Sequence, residues 1–521
     1  MSPKTRLAAT VLLGLLATGL AMAQGRIEGS AIRVDGGAIV GNWAANADVR
    51  AYLGIPFAAP PTGALRWKAP QPVTAWSGVR AATAFGPQCL QPGRSKTSVY
   101  YEYAGDQTMS EDCLTLNVWA PAAAKDRLPV MVWIYGGGFQ QGSAANPVFN
   151  GTRLAQRGVV VVSINYRVGA FGFLAHPELT AESEQHASGN YGLLDQLAGL
   201  QWVKRNIGSF GGDPGNVTIF GQSAGATSVA HLLGSPLARG LFQRAIAESD
   251  AFPAKMMSRA EAEQQGVAFA QKLGAANLAE LRQKSGQEIL DAKVAMRPIV
   301  DGWFLPEDTY SLFKEGKEAP VPFLTGWNRN EGATFAHDKT FAAHKTAIET
   351  RFGRDSEQVF ELYPASSDVT AIQASKDLFR ETTFTWGTWT TARLHARNGH
   401  PTYLYYFDHP QPLAPEQTYD EIDTADKLGT FHSSEYPYIF GTLDVLSRPW
   451  APQDRALSIQ LQTYWTNFSR GGNPNGPTLT KWPKVDANGE TTMHLGNKTG
   501  VGAIPQLAQL RFFDAWMRRG P

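Results

Sequence analysis

Gly221-Gln222-Ser223-Ala224-Gly225 sets a serine between two glycines, directly after the apolar run Val217 to Phe220 and directly before a helix-compatible stretch, Ala226 to Leu233. A sharp strand-to-helix turn presents such a hydroxyl at the carboxyl edge of a sheet, and side chains at the flanking glycines would collide with neighbouring backbone. The helix N-terminus favours negative charge developing there. The chemistry this suits is attack by the Ser223 oxygen on a carbonyl carbon. Upstream, Tyr135-Gly136-Gly137-Gly138-Phe139 closes a second apolar run that begins at Val130. Backbone without side chains lets a tetrahedral oxygen come within hydrogen-bond range, so the N–H groups of Gly137, Gly138 and Ala224 are the candidate oxyanion donors.

A serine hydroxyl is a weak nucleophile. It needs a base to take its proton and an acid to hold that base in the right tautomer. The chain order expected after a serine in this setting is acid, then histidine. Glu331 stands in Asn328-Arg329-Asn330-Glu331-Gly332, just past the apolar run Val321 to Gly326, where its carboxylate would emerge at the same sheet edge as Ser223. Asp301 and Asp338 compete for the role, and spacing alone does not reject them. Among ten histidines, His432 lies in Gly429-Thr430-Phe431-His432-Ser433-Ser434-Glu435, in a loop beyond the run Thr402 to Phe407, whereas His409 closes that run directly. Position leaves both open.

These residues have to be carried by a scaffold, and the pattern around them is alternating. Val130 to Tyr135, Val159 to Ile164, Val217 to Phe220, Ala245 to Ala247, Val321 to Gly326 and Thr402 to Phe407 are short apolar runs of the kind buried on both faces of a sheet. Between them lie helical patterns. The clearest is Leu193, Leu197, Leu200, Val203 and Ile207, which form one apolar stripe. Strand and helix in alternation imply an α/β protein with a mostly parallel sheet covered on both faces. Helical, more polar stretches over about 255–300 and 340–400 are expected as insertions capping that sheet, with a final helix over Asp454 to Phe468. Trp303, Phe304, Trp327, Phe335, Phe384 and Trp386 fall in segments near the expected site, although ordinary core packing accounts for most such residues.

With 521 residues, 43% hydrophobic and 18% charged, the chain can bury a large core. Its formal net charge of +1 and its lack of a basic run exclude a nucleic-acid stripe. No histidine or carboxylate pair falls at a familiar ligand spacing, so neither a metal nor another cofactor is expected. Lys4 and Arg6, the apolar stretch Leu7 to Leu20 and Ala21-Met22-Ala23 predict a signal peptide over 1–23 cleaved before Gln24, with 24–521 as one exported domain. No later apolar run suits a membrane anchor. Export into an oxidising compartment would let the two cysteines, Cys89 and Cys113, pair; two separate buried thiols are the alternative. The sequence carries no signal for oligomeric state.

Taken in order, Tyr52-Leu53-Gly54-Ile55-Pro56-Phe57-Ala58, Ser110 to Val118 around Cys113, Tyr135 to Phe139, Asn165-Tyr166-Arg167 and Phe210 through Gly225 resemble the type-B carboxylesterases, the group that includes cholinesterases and para-nitrobenzyl esterases. The resemblance covers nearly all of 24–521. It implies an α/β-hydrolase fold and cleavage of small-molecule carboxylic esters, with Glu331 as triad acid and His432 as base. It also implies a Cys89–Cys113 disulfide and a hydrogen bond from Ser249 to the acid. Two departures stand out: Gln222 where glutamate is common, and Asp250 where glycine often follows the serine. The first removes a negative charge beside the imidazole, which should weaken support for the imidazolium and ease entry of anionic substrates. A lipase for longer chains and a non-catalytic binding protein are the rival readings; no lid rich in large aliphatic residues favours the first, and the filled triad positions disfavour the second.

Overall fold

The computed structural model describes residues 31–44, 48–122, 127–422, 428–486 and 488–519. The expected signal peptide lies outside the described residues. Eleven strands form the main sheet. In chain order they are β1 (Asn42–Trp43), β2 (Val49–Pro56), β3 (Thr115–Pro121), β4 (Leu128–Ile134), β5 (Val160–Ile164), β6 (Gly212–Gln222), β7 (Arg244–Glu248), β8 (Phe323–Asn328), β9 (Thr402–Phe407), β10 (Thr491–Leu495) and β11 (Gly500–Ala503). Their spatial order is β11-β10-β9-β8-β7-β6-β4-β5-β3-β2-β1. From β10 to β5 every neighbouring pair is parallel. Antiparallel strands close both edges.

The parallel centre follows from composition. Every residue of Val160–Ile164, Phe323–Asn328 and Thr402–Phe407 is buried, so these strands need cover on both faces. Among the described residues, eight helices of eleven residues or more supply much of it: α1 (Tyr191–Asn206), α2 (Ala224–Gly234), α3 (Arg259–Lys272), α4 (Phe341–Phe352), α5 (Asp368–Arg380), α6 (Trp386–Arg397), α7 (Pro452–Gly471) and α8 (Leu507–Arg519). Residues of α4 to α6 join Trp327, Leu404, Tyr406 and the α8 side chains Leu510, Phe513 and Trp516 in a second apolar cluster beside the main core. The helix expected over Asp454 to Phe468 is α7, but it is not the last: β10, β11 and α8 follow it. No helix among the described residues is long and apolar enough to cross a membrane.

The chain leaves β4 for β5 on one side and returns to β6 on the other, so the connections diverge between β4 and β6. In open α/β sheets, a crevice opens outside the carboxyl ends of the strands at such a switch point. The Gly136–Gly138 turn leaves β4 at that point, and Ser223 leaves β6 there.

Candidate active site

Ser223 lies between the end of β6 and the start of α2 with φ 57° and ψ −125°, an unfavourable backbone conformation for a residue with a side chain. The glycines around it are sterically enforced. A Cβ on Gly225 would sit 2.0 Å from the Ile134 carbonyl oxygen, and one on Gly136 would sit 2.9 Å from the Ser223 Cβ. The second distance also places the glycine turn against the serine. The N–H groups of Gly137, Gly138 and Ala224 are taken up by no other described backbone carbonyl, which leaves them available to an oxyanion.

Seven non-glycine residues among those described have positive φ, and four of them border this site: Phe139, Ser223, Ser249 and Ser433. Strain of this kind persists only where the surrounding packing dictates it.

Glu331 follows β8 and is fully buried. One carboxylate oxygen accepts the backbone N–H of Asn328 at 2.7 Å and the hydroxyl of Ser249. The other is hydrogen-bonded to His432 Nδ1. The loop bearing His432 is stitched to the loop bearing Glu331: the Asn330 N–H donates to the Thr430 carbonyl at 2.9 Å, and the Thr430 N–H donates to the Asn330 side chain at 3.0 Å. Asn328 reaches the same loop through its side-chain N–H, which donates to the Phe431 carbonyl at 2.9 Å. On the faces of the imidazole, Phe384 stacks with ring centroids 4.2 Å away and Phe335 meets it edge-on at 5.3 Å.

The rival residues are engaged elsewhere. His409 is held between Asn497 at 2.9 Å and Asp454 at 2.7 Å. Asp301 accepts the backbone N–H groups of Trp303 and Leu305, and Asp338 pairs with His344. The structure therefore joins Glu331 to His432 and sets the neighbour of Ser223 against the same ring. That neighbour is Gln222, whose Nε2 is 3.3 Å from both imidazole nitrogens. No hydrogen bond joins the Ser223 hydroxyl to the imidazole, whose two nitrogens meet Glu331 and Gln222.

Gln222 is fully buried, and its Oε1 accepts the hydroxyls of Ser433 at 3.1 Å and Tyr436 at 2.5 Å. Those two donors turn the amide nitrogen toward the ring. An N–H at that place disfavours an imidazolium, whereas a carboxylate would favour it. Gln222→Glu should therefore raise the pKa seen in the kcat/KM profile by about one unit; an unchanged profile removes the idea.

Asp250, unexplained by the sequence, ties α2, the helix that follows Ser223, to α6. Thr227 in the first turn of α2 donates to its Oδ1 at 3.0 Å, and its backbone N–H donates to Thr388 at 3.0 Å. Its Oδ2 lies 3.4 Å from the Thr391 hydroxyl, whose hydrogen is directed at the Gly387 carbonyl at 2.6 Å. That leaves Oδ2 best served when it carries a proton. Burial pushes this carboxyl up to about 7 against the threonine hydrogen bonds that lower it. A carboxyl raised in the folded state binds more protons folded than unfolded between its ordinary range and about 7, so stability falls as pH rises through that window. Asp250→Asn keeps the hydrogen bonds without the charge. It should gain a few kcal/mol over the parent at pH 8 and little at pH 4, measured by denaturant unfolding at both.

Phe384 carries no sequence signal for its place on the imidazole. It sits in the π-helical turn Glu381–Thr385 joining α5 to α6, an irregularity that periodicity does not reveal. Trp327, Trp386 and Phe304 are core residues. Cys89 and Cys113 form a disulfide.

The sheet, the switch point and the strained serine turn define an α/β-hydrolase. The carboxylesterase family model matches residues 20–513. The chain is 36% identical to the fumonisin B1 esterase of Sphingopyxis macrogoltabida, over 88% of this chain and 86% of that protein. It is also 36% identical to the para-nitrobenzyl esterase of Bacillus subtilis, over 88% and 93%, and 34% identical to human cocaine esterase, over 94% and 89%. The chain belongs to the carboxylesterase family and is a carboxylic ester hydrolase.

Proposed function

We propose that this is an exported serine esterase working through an acyl-enzyme. Ser223 attacks the ester carbonyl while His432 takes its proton; the tetrahedral oxyanion is received by the N–H groups of Gly137, Gly138 and Ala224, and collapse passes the proton to the departing alcohol. Water then repeats the sequence against the acyl group. Glu331 holds Nδ1–H, which leaves on Nε2 the lone pair a base needs, shared at rest with the Gln222 amide 3.3 Å away. The observation that carries this reading is the buried Glu331–His432 pair beside the strained Ser223 turn, at the divergence of β4 and β6. Export is supported by the charged and apolar pattern of the first 23 residues and by the Cys89–Cys113 disulfide, a bond that oxidising compartments preserve.

A fluorophosphonate probe tests the assignment directly. The modified peptide should contain Ser223 as the labelled residue, and labelling elsewhere with Ser223 untouched would discard the proposal.

A further inference from the structure

At the amino ends of the strands, opposite the edge that carries the serine turn, three ligand-type side chains meet where the chain enters β8 and β9. Glu318 precedes β8, His395 stands in the last turn of α6, and His400 lies two residues before β9. One ligand atom from each lies within 4.8 Å of the others. His395 Nδ1 is 3.0 Å from Glu318 Oε1, and His400 Nε2 is 3.9 Å from the same oxygen.

The hydrogen-bonding pattern is the informative part. His395 Nε2 is 2.8 Å from the Val321 carbonyl, an acceptor only, so this nitrogen carries the ring proton. Nδ1 faces a buried carboxylate oxygen, a contact that either a metal ion or a second ring proton can fill. The carboxylate is 2% exposed and its second oxygen, Oε2, has no hydrogen-bond partner. Asn398 donates to Oε1 at 2.9 Å but does not reach Oε2 as a second donor. Phe313 and Phe323 flank the His395 ring, which lowers the local dielectric and strengthens the demand for a cation.

We propose that Glu318, His395 and His400 form a zinc-binding site. Ligands about 2.0–2.1 Å from a tetrahedral zinc lie about 3.3 Å from one another. The observed 3.0 and 3.9 Å separations bracket that value. Two imidazoles with one carboxylate suit zinc rather than calcium or magnesium, which prefer all-oxygen shells. The histidine N–H held by a backbone carbonyl is the outer contact that ligating histidines usually make. The His400 side chain is 19% exposed, which opens the fourth position to water. Spacing concealed the cluster: His395 and His400 are five residues apart, and Glu318 is 77 residues from His395. The absence of metal expected from the sequence thus does not extend to this corner. A bound ion would clamp the amino ends of β8 and β9, and β8 is the strand that delivers Glu331 at its other end.

The test uses the full chain, stripped with dipicolinate and dialysed, then titrated with zinc chloride. Bound metal is counted after gel filtration, and cobalt(II) is used in parallel to read coordination geometry from its visible spectrum. Wild-type protein should retain one zinc per chain, and cobalt should give the intense bands of a tetrahedral site. His400→Ala, at the exposed rim, and Glu318→Gln should each weaken binding at least tenfold, on the order of what loss of a ligand or its support costs, while ester hydrolysis reports that the fold is intact. Failure of the wild-type chain to retain zinc would mean that a proton alone sits between His395 and Glu318, and overturns the proposal. Equal zinc binding by the wild type and His400→Ala overturns it as well, since the metal would then be held elsewhere.

Discussion

Ser223→Ala should lower kcat for aryl ester hydrolysis by about 10⁶-fold while leaving KM close to that of the parent. On the proposed acyl-enzyme route the hydroxyl oxygen forms and breaks the acyl bond, so no neighbour can substitute for it. The residual rate belongs to the oxyanion donors and to substrate binding, which the substitution leaves in place. Alanine meets the same backbone conformation as serine at φ 57°, so the turn is neither relieved nor further strained. The thermal transition should therefore hardly move. The comparison is made on purified protein with a chromogenic ester and with the fluorophosphonate probe. A variant that keeps more than about one hundredth of the parent rate would place the nucleophile elsewhere.

The second large effect is expected at Glu331→Gln, with kcat falling about 10⁴-fold. Both oxygens of the Glu331 carboxylate are engaged. One oxygen serves the Asn328 N–H and the Ser249 hydroxyl, and the other serves His432 Nδ1. Glutamine must turn its amino group toward one side or the other. Facing His432, it donates to Nδ1 and drives the proton onto Nε2, where it blocks the base. Facing Asn328, it sets donor against donor in a buried place. A fall of less than tenfold would show that the carboxylate only supports the fold and that the imidazole is oriented by other groups. The Gln222→Glu profile is the natural companion measurement, because it changes the charge beside the same ring without touching the Nδ1 contact.

Much of this arrangement is legible in the sequence because it depends on local chemistry. The strand from Thr402 to Phe407 is bounded as its apolar run predicts, and β4, β5, β7 and β8 differ from their runs by one or two residues at an end. The serine turn is legible for a steric reason: Gly225 tolerates no side chain beneath the Ile134 carbonyl, so its identity announces the geometry. Glu331 and His432 are a different case. Their positions along the chain do not separate them from Asp301, Asp338 or His409; the family resemblance does, and the three-dimensional contacts agree with it. What stays hidden is what packing decides. β10 and β11 are short and partly exposed, with little apolar pattern to mark them. Asp250 reads as a surface type of residue until its threonine partners are known, and Phe384 depends on a helical irregularity with no sequence signature.

The divergence between β4 and β6 also sets an order of events for the chain as it acquires its structure. Closing the Glu331–His432 contact encloses 101 residues, and closing Gln222 onto His432 encloses 210. Such distant closures come at an entropic disadvantage until the intervening strands are in register. Helices and neighbouring strands can therefore be native while turnover is still absent. The capacity to cleave an ester should be a late signal of maturation in this molecule, and its recovery should report that β6, β8 and β9 are in place.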